Sequence, residues 1–259
     1  MATAKNGTDL VPVTDYSIVQ ASTEDLAEII QENIGGALNQ FDLDRIGMPA
    51  GGGQTWTVPT LEGEEDRKAI EGIIVYWKEP RAYWTESFDA SGGGTPPDCS
   101  SPDGYQGTGL FGPGSEHNPT GECAKCPMSQ WGSDDRNRGQ ACKQMRVLFM
   151  VQPEDMLPVA VVLPPTSIRP MKKYMLRLAS RSIPYWGVIT RIELTREKNA
   201  DGINYSVANP SLGSRLTPDQ AEEIKHYSHS IRAALDSVVV NVAATEYSEA
   251  AAASADLDG

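Results

Sequence analysis

Gly72–Trp77 (GIIVYW) is an unbroken apolar and aromatic run of strand length. A run with no polar alternation belongs to a strand covered on both faces, so it predicts a central strand. On its N-terminal side, Gln54–Val58 alternates, with Trp56 and Val58 pointing one way. On its C-terminal side Arg81–Phe88 follows, carrying Tyr83, Trp84 and Phe88. Gln144–Val151 (QMRVLFMV) and Leu157–Leu163 (LPVAVVL) resume as strands, and Pro164–Pro165 ends the second. Tyr185–Thr195 and Ile203–Val207 are two more, joined by the turn around Asn199–Gly202.

Three helices frame these strands. Ser22 and Thr23 cap the first, with Glu24 and Asp25 in its first turn, where the helix dipole favours negative charge. Its apolar positions are Leu26, Ile29, Ile30 and Ile34, and Gly35–Gly36 stops it. Leu38–Ile46 reads as a second short helix or an irregular segment, and Met48–Gly53 (MPAGGG) as a break. The second long helix is capped by Ser167 and runs from Ile168 to about Ser180, with Ile168, Met171, Tyr174, Met175 and Leu178 on one face. Thr217 caps the last, with Pro218 at its first position, running to about Ser237.

The expected class is mainly β with flanking helices (α+β), and the most economical barrel of this size is an OB-like Greek-key barrel. The chain divides into a loose helical arm (1–53), an OB-like core (54–210) with an insertion at 91–142, a C-terminal helix (211–240) and an acidic disordered tail (241–259). The 259 residues suffice for one substantial core. No apolar run approaches the roughly 20 residues of a membrane helix. The first twenty residues lack a basic head followed by an apolar run, so the expected location is the cytoplasm.

The insertion cannot fold by burial alone. Ser91–Cys142 holds 11 Gly and 6 Pro in 52 residues, and it carries all four cysteines of the chain, Cys99, Cys123, Cys126 and Cys142. The Cys-x-x-Cys turn of Cys123 and Cys126 lets two thiolates point at one ion, and cysteines on either side complete a tetrahedral shell. A four-cysteine zinc staple is the leading expectation, structural because all four positions are filled by protein. Two disulfides would require an oxidising compartment. An iron–sulfur cluster is compatible with the spacing, and His117 is an alternative to one cysteine.

The net charge of −13 is unevenly distributed. Residues 1–66 carry 2 basic and 12 acidic side chains, whereas residues 136–198 carry 12 basic and 4 acidic. A basic block between acidic ends is the asymmetry of a surface that meets a polyanion. Within it Arg169, Lys173, Arg177 and Arg181 stand four apart with Lys172 beside them, and no Asp or Glu occurs from Ser167 to Ser182. Spacing by four aligns them on one helical face. An ordinary solvated face is the plain alternative, but phosphates would neutralise the repulsion within a single-sign stripe.

Strand parity places Trp186, Val188, Thr190, Ile192 and Leu194 toward the core and Tyr185, Ile189, Arg191 and Glu193 away from it. Tyr185 beside Arg191 is then a stacking and phosphate pair, with Tyr83, Trp84 and Trp131 as further stacking candidates. Core packing is the alternative for each aromatic. Arg136, Arg138, Lys143 and Arg146 bracket Cys142 as a basic rim that a bound metal would hold rigid.

Signs of catalysis are weak. His226 and His229 share a helix with no third ligand evident, and no Walker A pattern, nucleophile elbow or HExxH is present. A non-enzymatic protein is expected.

The order DCSS, CAKCP, ACK, LPPTSIRPMKKYMLRL and VITRIEL, spanning roughly Gly72–Val207, resembles the zinc-containing OB-fold single-stranded-DNA-binding proteins of phage and prophage replication modules. The resemblance implies a protein that coats single strands, DNA being favoured, and recruits replication or recombination partners through an acidic tail. Cys99, Cys123, Cys126 and Cys142 fall on the metal ligands of such proteins. The tail here closes on Asp256–Gly259 without the terminal aromatic of bacterial single-strand binders. A second expectation of a different kind is a zinc-stabilised adaptor that docks on a host or phage enzyme such as the transcription machinery.

Overall fold

In the computed structural model the described residues are 23–36, 42–86, 96–135, 137–153, 155–199 and 202–237. The expected strand Gly72–Trp77 lies within β4 (Ala69–Lys78), flanked by β9 (Arg146–Val151) and β11 (Val188–Lys198). Outward from β9 come β10 (Val159–Leu163) and the two-residue β1 (Arg45–Ile46), which pairs parallel to β10; outward from β11 comes β12 (Asn204–Arg215). All other pairings in this six-stranded sheet are antiparallel.

Alternation along these strands sorts their side chains onto two faces. Val147, Phe149 and Val151 of β9 join Ile73 and Val75 of β4 in one core, under α1 (Thr23–Ile34) and α3 (Pro218–Ser237) through Leu26, Ile224, Tyr227 and Leu235. Leu148 and Met150 join Ile70 and Ile74 in the other, under α2 (Pro165–Ala179) through Met171, Tyr174 and Leu178. The hairpin of β2 (Trp56–Thr60) and β3 (Gly63–Arg67) also closes this second face, through Trp56 and Val58. A bulge in β4 between Ile74 and Tyr76 turns Tyr76 onto the first face, stacked on Phe149 at 5.8 Å.

The mainly-β, flanking-helix class therefore stands, but the strand order is linear. Among the described residues β1 and β12 lie at opposite ends of the sheet, and no pairing joins them into the expected closed barrel. Helix α2 is the reason: it connects β10 to β11 on the far side of β4, so the late strands extend the sheet. The body also begins before the Met48–Gly53 break, since Ile46 is fully buried in β1. Helix α2 starts at Pro165, and Ser167 does not cap it; its hydroxyl accepts from the Ala208 N–H at 2.9 Å, tying helix to β12. Thr217 and Gln220 do form a reciprocal cap on α3, each side chain accepting from the other's N–H. The tail at 241–259 lies outside the described residues.

The insertion leaves the sheet between two neighbouring strands. Past β4 the chain forms β5 (Arg81–Tyr83), and before β9 it returns through β8 (Lys143–Gln144); the two continue the β4–β9 ladder at a neck closed by the Met145 N–H on the Pro80 carbonyl. Beside β5 lie β6 (Cys99–Ser101) and β7 (Thr108–Gly109), making a small four-stranded sheet.

Candidate metal centre and basic face

The four cysteines come from three places: β6 brings Cys99, a 3-10 turn at Cys123–Lys125 brings Cys123 and Cys126, and the strand-return brings Cys142. All four are free thiols, each 6 to 8% exposed, and all four line one cavity of about 10 Å³. Local bonds fix them there. Ser129 Oγ donates to the Cys123 and Cys126 carbonyls at 2.5 and 2.9 Å, and the Cys142 N–H donates to the Met128 carbonyl at 2.7 Å. The backbone N–H groups of Phe111 and Thr108 point at the Cys99 sulfur. Glycine is required at Gly109 (φ +100°), where a Cβ would lie 2.3 Å from the Asp98 carbonyl oxygen.

Burial pushes the thiols of Cys99 and Cys123 up and that of Cys142 up to about 12. Arg81, which also lines the cavity, acts in the opposite sense on Cys123 and Cys142. Among the described residues no three His, Cys, Asp or Glu side chains are drawn together as a ready metal shell. The donor set nonetheless fits a thiophilic ion: four buried sulfurs, no competing carboxylate in the lining, and room for a single atom of water size. His117 is exposed and takes no part in the lining; its ring sits 6.2 Å from Phe111.

The basic residues fare unequally. On α2, Arg169, Lys172, Lys173 and Arg177 are exposed, as is Arg181 just beyond it. Among the described residues Lys172, Lys173, Arg177 and Arg181 pair with no carboxylate. Leu176 stands among them at 60% exposure. The opposite face of the helix buries Met171, Tyr174 and Leu178, each contributing about 1.5–3 kcal/mol. That outweighs like-charge repulsion of a few tenths of a kcal/mol per pair. The core holds α2 in place.

Arg138 is exposed and Lys143 half-buried on the insertion, while Arg136 lies outside the described residues. Arg146 is no rim residue. At 4% exposure it pairs with Glu79, covers the Trp77 ring at 4.6 Å and reaches Met175 Sδ at 3.8 Å. Arg191 is bound by Glu71 from the neighbouring β4 and by Glu193 on its own strand, so its charge already has carboxylate partners.

Of the stacking candidates, Tyr83, Trp84 and Tyr185 are half-buried. Tyr83 packs edge-on against Phe111 at 5.3 Å over the thiols, and Trp84 packs on Ala82 and Met145. Tyr185–Gly187 is a 3-10 turn, which breaks strand parity. Tyr185 packs on the α2 side of the sheet and Trp186 on the other, the reverse of the expected assignment, while from Val188 onward the alternation holds. Trp131 is the aromatic that stays in the open, at 62% exposure. It adjoins Gly132, whose N–H meets the Gly139 carbonyl at 2.7 Å, and exposed Arg138 adjoins Gly139. An aromatic and a cation thus flank one closed loop, anchored by Asp134 Oδ1 accepting from the Arg138 and Gly139 N–H groups.

His226 and His229 lie on α3, and His226 sits 3.4 Å from Glu222. No helix among the described residues is long and apolar enough to cross a membrane. No protein-family model, curated protein or solved structure matches this chain.

Proposed function

We propose that this chain is a non-enzymatic single-stranded nucleic-acid-binding protein, DNA being its favoured ligand, acting in a phage-type replication or recombination module. One observation carries the reading: on the α2 face Lys172, Lys173 and Arg177 have no carboxylate partners among the described residues, in a chain of net charge −13. Phosphates supply the missing counter-charge, and each one engaged releases counterions from the strand. Trp131 with Arg138 adds a stacking surface, at roughly 1–3 kcal/mol per base. The motifs that resemble zinc-containing phage and prophage binders support the same reading.

In its finer form the proposal includes a structural Zn²⁺ held by Cys99, Cys123, Cys126 and Cys142. When bound, the ion closes the insertion and does no chemistry on the ligand. The OB-like Greek-key barrel is not part of the proposal, because the described strands of the main sheet follow a linear order. Electrophoretic shift of single-stranded DNA, duplex DNA and RNA at two salt concentrations tests it. A shift of the single strand that fades with salt is expected; no shift at low salt would overturn it.

A second reading rests on a different observation. Tyr105, Leu110 and Trp131 are all exposed on the insertion. An adaptor docking these side chains on a host or phage enzyme, such as the transcription machinery, would bind its partner tightly and show no salt-dependent DNA affinity.

A further inference from the structure

One nitrogen of a half-buried guanidinium beside the thiol cavity has no acceptor. Arg81 Nη1 is inaccessible to solvent and hydrogen-bonds to nothing, whereas Nη2 donates to Gln144 Oε1 at 2.8 Å. Arg81 is the single charged residue lining the thiol cavity. Its guanidinium cannot swing out of the way, because Gln144 is itself held. Gln144 Nε2 donates to Glu79 Oε2 at 2.8 Å, and Glu79 is locked by the buried Arg146.

Neutral thiols are weak acceptors and leave that N–H stranded; thiolates are strong ones. A divalent ion in four thiolates carries excess negative charge, which a fixed guanidinium at its edge would balance. We propose that Arg81 is the outer-sphere charge partner of the ion held by Cys99, Cys123, Cys126 and Cys142. This rests on the metal reading above and adds a residue outside the ligand set. Arg81 is a positioning residue: it lines the cavity of the four thiols and is not a ligand of the ion.

The test uses the full chain, reduced and loaded with Zn²⁺, titrated against a chromophoric chelator, with Co²⁺ loading as the spectroscopic readout. Arg81→Gln should weaken Zn²⁺ retention by about 10- to 100-fold, the range for outer-shell partners. Its Co²⁺ form should keep the sulfur-to-cobalt charge-transfer band of a tetrathiolate. Arg81→Lys, which restores the charge, should recover most of the loss. Equal retention in wild type and Arg81→Gln would overturn the assignment while leaving the four-cysteine site intact. So would an Arg81→Lys protein as weak as Arg81→Gln, because charge would then not be the cause. A wild-type chain that takes up neither ion would instead remove the metal reading itself.

Discussion

Phe149 and Cys123 stand on opposite sides of the neck at Pro80 and Met145, and they are held by different means. Phe149 belongs to a strand that buries all six of its residues, sandwiched between helices on both faces of the sheet. Cys123 belongs to a segment where, cysteines apart, Ala82 and Phe111 are the buried apolar side chains among the described residues from Arg81 to Gln144. The sheet is stabilised by apolar area. The insertion relies on turns and on side chains such as Asn118 and Ser129 that satisfy backbone carbonyls. The difference teaches that apolar area offsets the entropy of ordering in the sheet, whereas the glycine- and proline-rich insertion lacks that area, and the proposed metal ligation would supply the remainder.

The two regions should therefore fail separately. Phe149→Ala, removing a ring from the sheet's core, should lower global stability by about 3–5 kcal/mol in denaturant unfolding and leave the metal content of the folded chain unchanged. Cys126→Ser should do the converse. Elemental analysis should show the ion lost, and amide exchange should accelerate in the insertion while β4 and β9 keep their protection. Retained metal in this variant would break the comparison, as would loss of protection across the sheet. Smallest is Thr217→Ala, which deletes one half of the reciprocal cap on α3. It should cost about 1 kcal/mol of stability in the sheet region alone.

How far the sequence spoke depended on how local each cause is. The run at Gly72–Trp77 is legible because a strand covered twice must be apolar throughout, and the cap at Thr217 because Gln220 is three residues away. Strand β3 (Gly63–Arg67) carries Glu64, Glu65 and Asp66 on an exposed hairpin and shows no apolar alternation to read. The parity of β11 is correct from Val188 but fails at Tyr185 and Trp186, where a 3-10 turn precedes the strand. Arg146 looked like a rim cation because its partner, Glu79, is 67 residues distant. The pairing of Arg191 was hidden likewise, with Glu71 arriving from β4. The four cysteines could be found by spacing, whereas Arg81 could not: nothing in its neighbourhood says that it faces sulfur. The linear strand order was hidden for the same reason, since pairing partners are chosen across the whole chain.

The proposed function rests on the α2 face, where the core fixes the helix and Lys172, Lys173 and Arg177 have no carboxylate partner among the described residues. The direct measurement is the affinity of a short oligothymidine as a function of salt, for the wild type and for Lys173→Glu/Arg177→Glu. With about five cations engaged, log affinity should fall with log salt at a slope of about −3.5 for a single strand, and the double reversal should flatten it by at least about 1.4. Identical slopes in the two proteins would contradict the assignment of the strand to this helix.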